Sequence, residues 1–347
     1  MKLIWIGQEN SLFLSIMQTN SYTIRPYKNG DEHSINRGFN EVFGQNRSMD
    51  EWYWKFGRDN DAASCIMLAV DGNDEVLVNF STLPSRIQMN GKILTCAQAV
   101  DCYSLQREYV VRKKLYIATY KAYRAQFGAK ENIALLYGCL GGRHLKLGRL
   151  VMNYTEPIPF TYLCKRMNLF HRARGLLMGQ AVWRFICLRN RVDLNKAGDL
   201  WARSSGRYPV SVVRDDEYIF RRYLSHPVKK YYYLTVESKG VPDGFAVLSL
   251  NNRILKWLDL VWDGKDASTI TELERRVWNL AVILGVKKVE MWLCNDEEVK
   301  ETLKLSGMNE SRNPYELFLT TTPLGPSVDS YELSRRIYFT MGDIDMF

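Results

Sequence analysis

Twice in this chain an amphipathic stretch of helical spacing stops at a glycine and gives way to a short, unbroken apolar run. LYIATYKAYRAQFG (115–128) leads to ENIALLYGCL, and TITELERRVWNLAVILG (269–285) leads to KKVEMWLC. Apolar residues at helical spacing that end on Gly128 or Gly285 mark a helix and its stop. The apolar run behind each reads as a strand buried on both faces of a sheet covered by helices. The expected fold class is therefore α/β, with the α+β character of a mixed sheet.

What precedes each pair also repeats. In the first half, YTIRPY (22–27) reads as an edge strand and 31–43 as a helix with Ile35, Phe39 and Val42 on one face, followed by the aromatic EWYWKFG. CIMLAV (65–70), VLVNFSTLPSRIQM (76–89) and ILTCAQAVDCYSL (93–105) follow, joined by DGNDE and Asn90-Gly91, and read as an antiparallel meander. In the second half come a helix carrying Leu200 and Trp201, then YPVSVVRDDEYIFRRYLSHP (208–227). Strands YYYLTVES and GFAVLSL about a turn at Gly240 to Gly244 precede RILKWLDLVW (253–262). The order β, α, β-meander, α, β occurs in each half, a duplication of structure with little residue identity.

A chain of 347 residues is comfortable for two such domains, each with its own core. The expected division is an N-terminal extension (1–20), a first domain (21–165), a linker (166–196) and a second domain (197–347). The linker mixes Arg or His with Leu, Met, Trp and Phe over 166–192, which suits either a peripheral membrane contact or a connector packed on a core. The opening MKLIWIG is broken by Gln8, Glu9 and Asn10 before it reaches the length of a secretion signal, and Met17 is an alternative start.

Lys and Arg number 47 against 38 Asp and Glu, a net charge of +9 that favours acidic partners: a phosphate-bearing cofactor, nucleic acid or an anionic membrane. Nucleic acid is disfavoured, because EWYW and YYY sit at spacings that suit a core. Seven cysteines without a CxxC pair read as buried thiols of a reducing cytoplasm. His33, His144, His171 and His226 lie too far apart for a metal site, and none is expected.

Several segments match a known superfamily in order. These are AQAVDCYSLQREYVVRKKLY (97–116), YPVSVVRDDEYIFRRYLSHP (208–227), SGM (306–308) and the ending YFTMGDIDMF (338–347). In these the chain resembles the GCN5-related N-acetyltransferase (GNAT) superfamily, in its bacterial two-domain subgroup. The resemblance implies two tandem GNAT-like domains, each a mostly antiparallel sheet flanked by helices, with acyl-CoA held by the first.

It further implies an acyl-CoA-dependent N-acyltransferase that passes an acyl group, acetyl by expectation, to a small-molecule amine such as an amino sugar of a surface polysaccharide. The alternative is a non-catalytic GNAT-like binding or scaffold protein that has lost the cofactor. The family's phosphate-binding turn, Arg/Gln-x-x-Gly-x-Gly/Ala, aligns with Val110, Lys113 and Leu115 here, so all three anchor positions depart from it. Bulky groups replace the glycines that let a backbone approach pyrophosphate. Val100, Arg112, Lys113 and Lys114 are the expected cofactor contacts, the three cations supplying charge in place of glycine. The other reading of this run is a solvated loop. The counterpart loop of the second half, DGKDAS (263–268), has one glycine and two acids and is a poor cradle.

Catalytic candidates are Asp101, a carboxylate able to orient or deprotonate an amine, and His144, a base near neutral pH. Each also has a purely local reading, as a loop cap and a surface histidine. Cys139 lacks a partner at diagnostic spacing and reads as a buried thiol. By the resemblance, Tyr338, Thr340, Asp343 and Asp345 are candidates for binding a polar acceptor. Arg214, Asp215, Arg222 and His226 either face an interdomain cleft or form an ion network.

Overall fold

The computed structural model describes residues 22–57, 65–128, 133–168, 192–325 and 328–345. The expected N-terminal extension and nearly all of the 166–192 segment lie outside them.

In the first half, strand β1 (Tyr22–Pro26) is followed by helices α1 (Asp31–Phe43) and α2 (Met49–Phe56), then β2 (Ile66–Asp71), β3 (Val76–Met89) and β4 (Lys92–Ser104). α1 starts and ends at left-handed glycines, Gly30 and Gly44, and α2 starts with a capping box between Ser48 and Glu51. Ile35 and Phe39 pack inward, whereas Val42, expected on the same face, is exposed near the helix end. After β4 come α3 (Glu108–Arg112), α4 (Leu115–Tyr123) and β5 (Ile133–Leu140). The helix expected over 115–128 stays α-helical only to Tyr123 and finishes as a π turn, Arg124–Gly128.

α5 (Gly142–Val151), β6 (Ile158–Pro159) and β7 (Thr161–Arg166) close the first half. The second runs α6 (Leu194–Ser204), β8 (Val210–Val212), α7 (Asp216–Ile219), a π turn at Phe220–Leu224, β9 (Tyr231–Ser238), β10 (Val241–Asn251) and β11 (Ile254–Trp262). It continues with α8 (Ser268–Ile283), β12 (Lys288–Cys294), α9 (Glu297–Leu305), β13 (Asn309–Ser311), β14 (Phe318–Pro323), α10 (Ser330–Arg336) and β15 (Ile337–Thr340). The turn expected at Gly240 to Gly244 is tighter: Lys239 and Gly240 take positive φ, and β10 begins at once with a bulge before Gly244.

Among the described residues the strands form one mixed sheet with two matching centres. β4 pairs parallel with β5, and β11 pairs parallel with β12. Each half lends the other a strand. β14, from late in the chain, runs antiparallel to β5 and then to β6, while β7, from the first half, runs antiparallel to β12 and then to β13. β8 and β15 tie the centres together, β8 on β3 and β15 on β12.

The largest core cluster spans this junction, from Ile87 and Leu135 to Trp257, Trp262 and Trp292. There Phe160 stacks on Trp292 with centroids 4.5 Å apart, a geometry worth about 0.5–1.5 kcal/mol beyond burial. The halves share this core, and the first half has two further clusters of its own, around Trp52 and around Phe80. No helix of the described residues is long and apolar enough to cross a membrane.

Candidate functional site

The two parallel pairs are short and then part. Pairing of β4 with β5 stops at Gln98 and Tyr137, yet β4 runs on to Ser104 and β5 to Leu140. Among the described residues no strand pairs with that edge of β4 beyond Gln98, and past Ala99 and Gly138 no strand stands between β4 and β5. A backbone edge left unpaired needs a partner from solvent or ligand. β4 also carries a bulge opposite Asn79 to Ser81, and Asp101 within it has φ 51°. Val100 is buried beside the bulge, paired with Ser81.

The second pair parts after Lys256 and Glu290, but there the gap is filled. β15 enters it to pair with Leu293 and Cys294, and the tight turn Met341–Asp343 packs against β11 and β12. Gly342 fits so closely that an added Cβ would lie 2.1 Å from the Tyr223 hydroxyl and 3.1 Å from an Asp259 carboxylate oxygen. The loop 263–268 is covered too: Arg207 crosses Trp262 at 4.3 Å and presses on Gly264.

At the open gap, the chain leaves β4 through a loop pinned by Arg107 on Glu75 at 2.6 Å. Lys114, at φ 54°, caps the N-terminus of α4 and accepts from the amides of Ile117 and Ala118. Arg112, Lys113 and Lys114 are all exposed, and none has an ion pair among the described residues. A helix N-terminus with three unpaired cations is a site of concentrated positive potential. Val110 and Leu115, which stand at the first and the last anchor positions of the motif, are buried in the core. Their departure from the motif therefore has a packing cause.

Asp101 is held by two cations. Its carboxylate accepts from Lys55 Nζ at 2.6 Å and also from Arg47, and Asn79 donates to its backbone carbonyl at 2.9 Å. Lys55 bridges onward to Asp345, so the structure brings Asp101 and Asp345 to the two sides of one buried ammonium. Burial alone would discharge Lys55, but the two carboxylates outweigh it and raise its pKa. Asp345 is likewise desolvated, yet Lys55 and Arg222 hold its pKa down. Arg222 donates to the carbonyls of Gly342 at 2.9 Å and Ile344 at 2.6 Å and thereby fixes the segment that carries Asp345.

Next to this cluster, Trp54 donates to Ser225 at 3.0 Å and its ring lies 4.0 Å from that of His226. Burial, with Lys229 and Arg222 nearby, pushes the His226 pKa down to about 4.

The remaining C-terminal candidates brace the turn. Tyr338 is buried and donates to Leu260 at 2.8 Å. Thr340 is buried, and its amide donates to Asp343 at 2.8 Å. Arg214, wholly buried, donates to Asp259 at 2.8 Å and also to Asp343. Tyr218 and Tyr223 add their hydroxyls to Asp259 at 3.2 and 3.0 Å. One guanidinium thus serves two buried carboxylates. Burial and the neighbouring Asp259 push Asp343 up to about 6 against the pull of Arg214, and its second oxygen has no hydrogen-bond partner among the described residues. Asp215 lies apart, capping α7 and paired with Arg86.

His144 is exposed in the first turn of α5, beyond the end of β5, and no hydrogen bond or ion pair among the described residues joins it to the Asp101 cluster. The Cys139 thiol is held protonated by burial. Two shallow cavities, of about 260 and 400 Å³, lie elsewhere, around Asn295 and Glu297 at the end of β12, and are lined by none of the Asp101 cluster.

Sequence reasoning missed Arg47, Lys55 and Asp259. Lys55 did leave a signal, as the lone cation in the aromatic run EWYWKF that forms α2. Arg47 and Asp259 left none, because their partners lie 54 and 45 residues away.

No protein-family model matches the sequence, and no curated protein does. Solved structures do match in fold. A GCN5-related N-acetyltransferase from Anabaena variabilis ATCC 29413 matches with a TM-score of 0.62 at 9% identity, over 88% of this chain and 73% of that one. A conserved protein of unknown function from Enterococcus faecalis V583, described as a probable N-acyltransferase, gives 0.62 at 10% identity over 88% and 73%. Saccharomyces cerevisiae N-myristoyltransferase with bound myristoyl-CoA gives 0.56 at 12% identity over 87% and 82%. At such identities the likeness is one of fold.

Proposed function

Starting from a chain with the fold of the GNAT superfamily, we propose that it is an acyl-CoA-dependent N-acyltransferase whose donor site lies in the first half. The observation that carries this reading is the contrast between the two gaps: the one between β4 and β5 is open, and the one between β11 and β12 is filled by the chain's own turn. Arg112, Lys113 and Lys114 at the head of α4 would receive the phosphates of the donor, and the unpaired edge of β4 near Val100 its pantetheine arm. The yeast neighbour binds an acyl-CoA on the same fold. The acyl group in our reading is acetyl.

The reaction asks little of the protein. An amine nitrogen attacks the thioester carbonyl carbon, the carbon–sulfur bond breaks, the thiolate leaves, and the ammonium proton passes to a base. The Asp101 carboxylate is already engaged by Arg47 and Lys55, so we assign Asp101 to orienting the amine and Asp345 to the opposite wall. His144, exposed just beyond β5, is assigned as proton acceptor. With cations and carboxylates both at the seam, a polar amine such as an amino sugar is the acceptor class we propose.

The test is binding. Changing Arg112, Lys113 and Lys114 together to alanine should weaken acetyl-CoA at least about tenfold, the scale of losing charge-assisted phosphate contacts. Unchanged affinity would sink the cradle assignment. The double clasp on Asp101 favours a second reading, a GNAT-like binding protein without turnover. Acetyl transfer to any amine, lost in Asp101→Asn, would remove that alternative.

A further inference from the structure

The π turn Phe220–Leu224 and the loop after it expose three large apolar side chains within nine residues: Phe220 at 51%, Leu224 at 39% and Val228 at 63%. No other described segment of that length exposes as many. Single exposed apolar residues need no explanation, but a cluster does. With i→i+5 bonding, seen where the Ser225 amide donates to Phe220 at 3.0 Å, residues four apart stay on one side of the turn. The segment is firmly seated. Trp54 holds Ser225, His226 accepts from the amides of Val228 and Lys229 at 3.2 and 3.1 Å, and Arg222 is tied down on Gly342 and Ile344.

The unpaired charge on the loop after the π turn is positive. Lys229 and Lys230 are exposed and have no ionic partner among the described residues, and Arg221 reaches only Glu217, loosely, at 3.6 Å. Glu217 is already engaged by Arg86 at 2.8 Å.

We propose that Phe220, Leu224 and Val228, with Arg221, Lys229 and Lys230, form a docking surface for an anionic lipid membrane. Apolar side chains enter the headgroup boundary while cations meet lipid phosphates, and the two contributions together give binding that neither gives alone. An acidic protein surface would satisfy the lysines but not the three exposed apolar side chains, which a headgroup boundary takes up together with the charge. Its residues are other than those of the 166–192 segment, nearly all of which lies outside the described residues, and the proposal does not depend on the acyltransferase reading.

The experiment is co-sedimentation of the full chain with vesicles of phosphatidylglycerol and phosphatidylcholine, and with phosphatidylcholine alone, at low and high salt. Binding should require the anionic lipid and weaken with salt. It should fall at least about tenfold in Phe220→Ser/Leu224→Ser/Val228→Ser and again in Lys229→Glu/Lys230→Glu. The charge pair decides the matter if the apolar variant fails to fold. Absence of binding to anionic vesicles, or wild-type binding by both variants, overturns the proposal. So does capture by polyglutamate without vesicle binding, which would make the patch a protein-docking surface.

Discussion

Lys55 and Asp345 stand 290 residues apart in sequence and form a partly buried ion pair in the folded chain. The same ammonium contacts Asp101 at 2.6 Å, so α2, β4 and the C-terminal segment meet at one atom. Removing it would leave Asp101 to Arg47 alone and Asp345 without its ion pair. Lys55→Met is therefore expected to lower unfolding free energy by about 3–5 kcal/mol, measured by urea denaturation, because breaking a buried pair strands its partners. Adding Asp345→Asn should recover part of that loss. A loss unaltered by the second change would show that the two residues do not couple.

Asp343 and His226 make stability depend on pH in opposite directions. The folded pKa of Asp343, about 6, exceeds its ordinary 3.8, so between those values the folded state holds more protons and this group's contribution falls as pH rises. His226, lowered to about 4 from 6.5, does the reverse: its contribution is complete above 6.5 and is lost as pH falls toward 4. Relative to Asp343→Asn, the wild type should lose on the order of 1–3 kcal/mol between pH 4 and 6.5 and change little above that. A stability gap that stays flat from pH 4 to 7 would contradict the assignment.

Gly342→Ala tests the filled gap of the second half. The new Cβ would meet the Tyr223 hydroxyl and two oxygens of β11. A cost of about 1–3 kcal/mol is expected from overpacking, read as a drop in Tm. An unchanged Tm would mean the turn is not seated as described.

Local pattern reached α1, the meander β2 to β4, helix α8 and the buried strands β5 and β12, because each has a strong period and a clear stop. It did not reach the exchange of β14 and β7. Thr321 finds Tyr137 and Tyr162 finds Trp292 across more than a hundred residues, and strand pairing at that range leaves no local trace. The candidate site was legible in part. Asp101 and Asp345 are both drawn from short motifs, but what joins them, Lys55, reads in sequence as one charge on an aromatic helix. Tyr338, Thr340 and Asp343 are candidates through the resemblance of the C-terminal stretch, and their burial around the Arg214–Asp343 pair leaves no local sign in the sequence. The basic run 112–114 was legible as charge, whereas the burial of Val110 and Leu115 on either side needed the fold.

The central claim is that one of two equivalent gaps holds an acyl donor and the other is filled by the chain itself. Titration calorimetry of the purified protein with acetyl-CoA, and with free CoA, tests it most directly. The account predicts micromolar binding at one site per chain. No binding of either ligand, or two sites per chain, would contradict it.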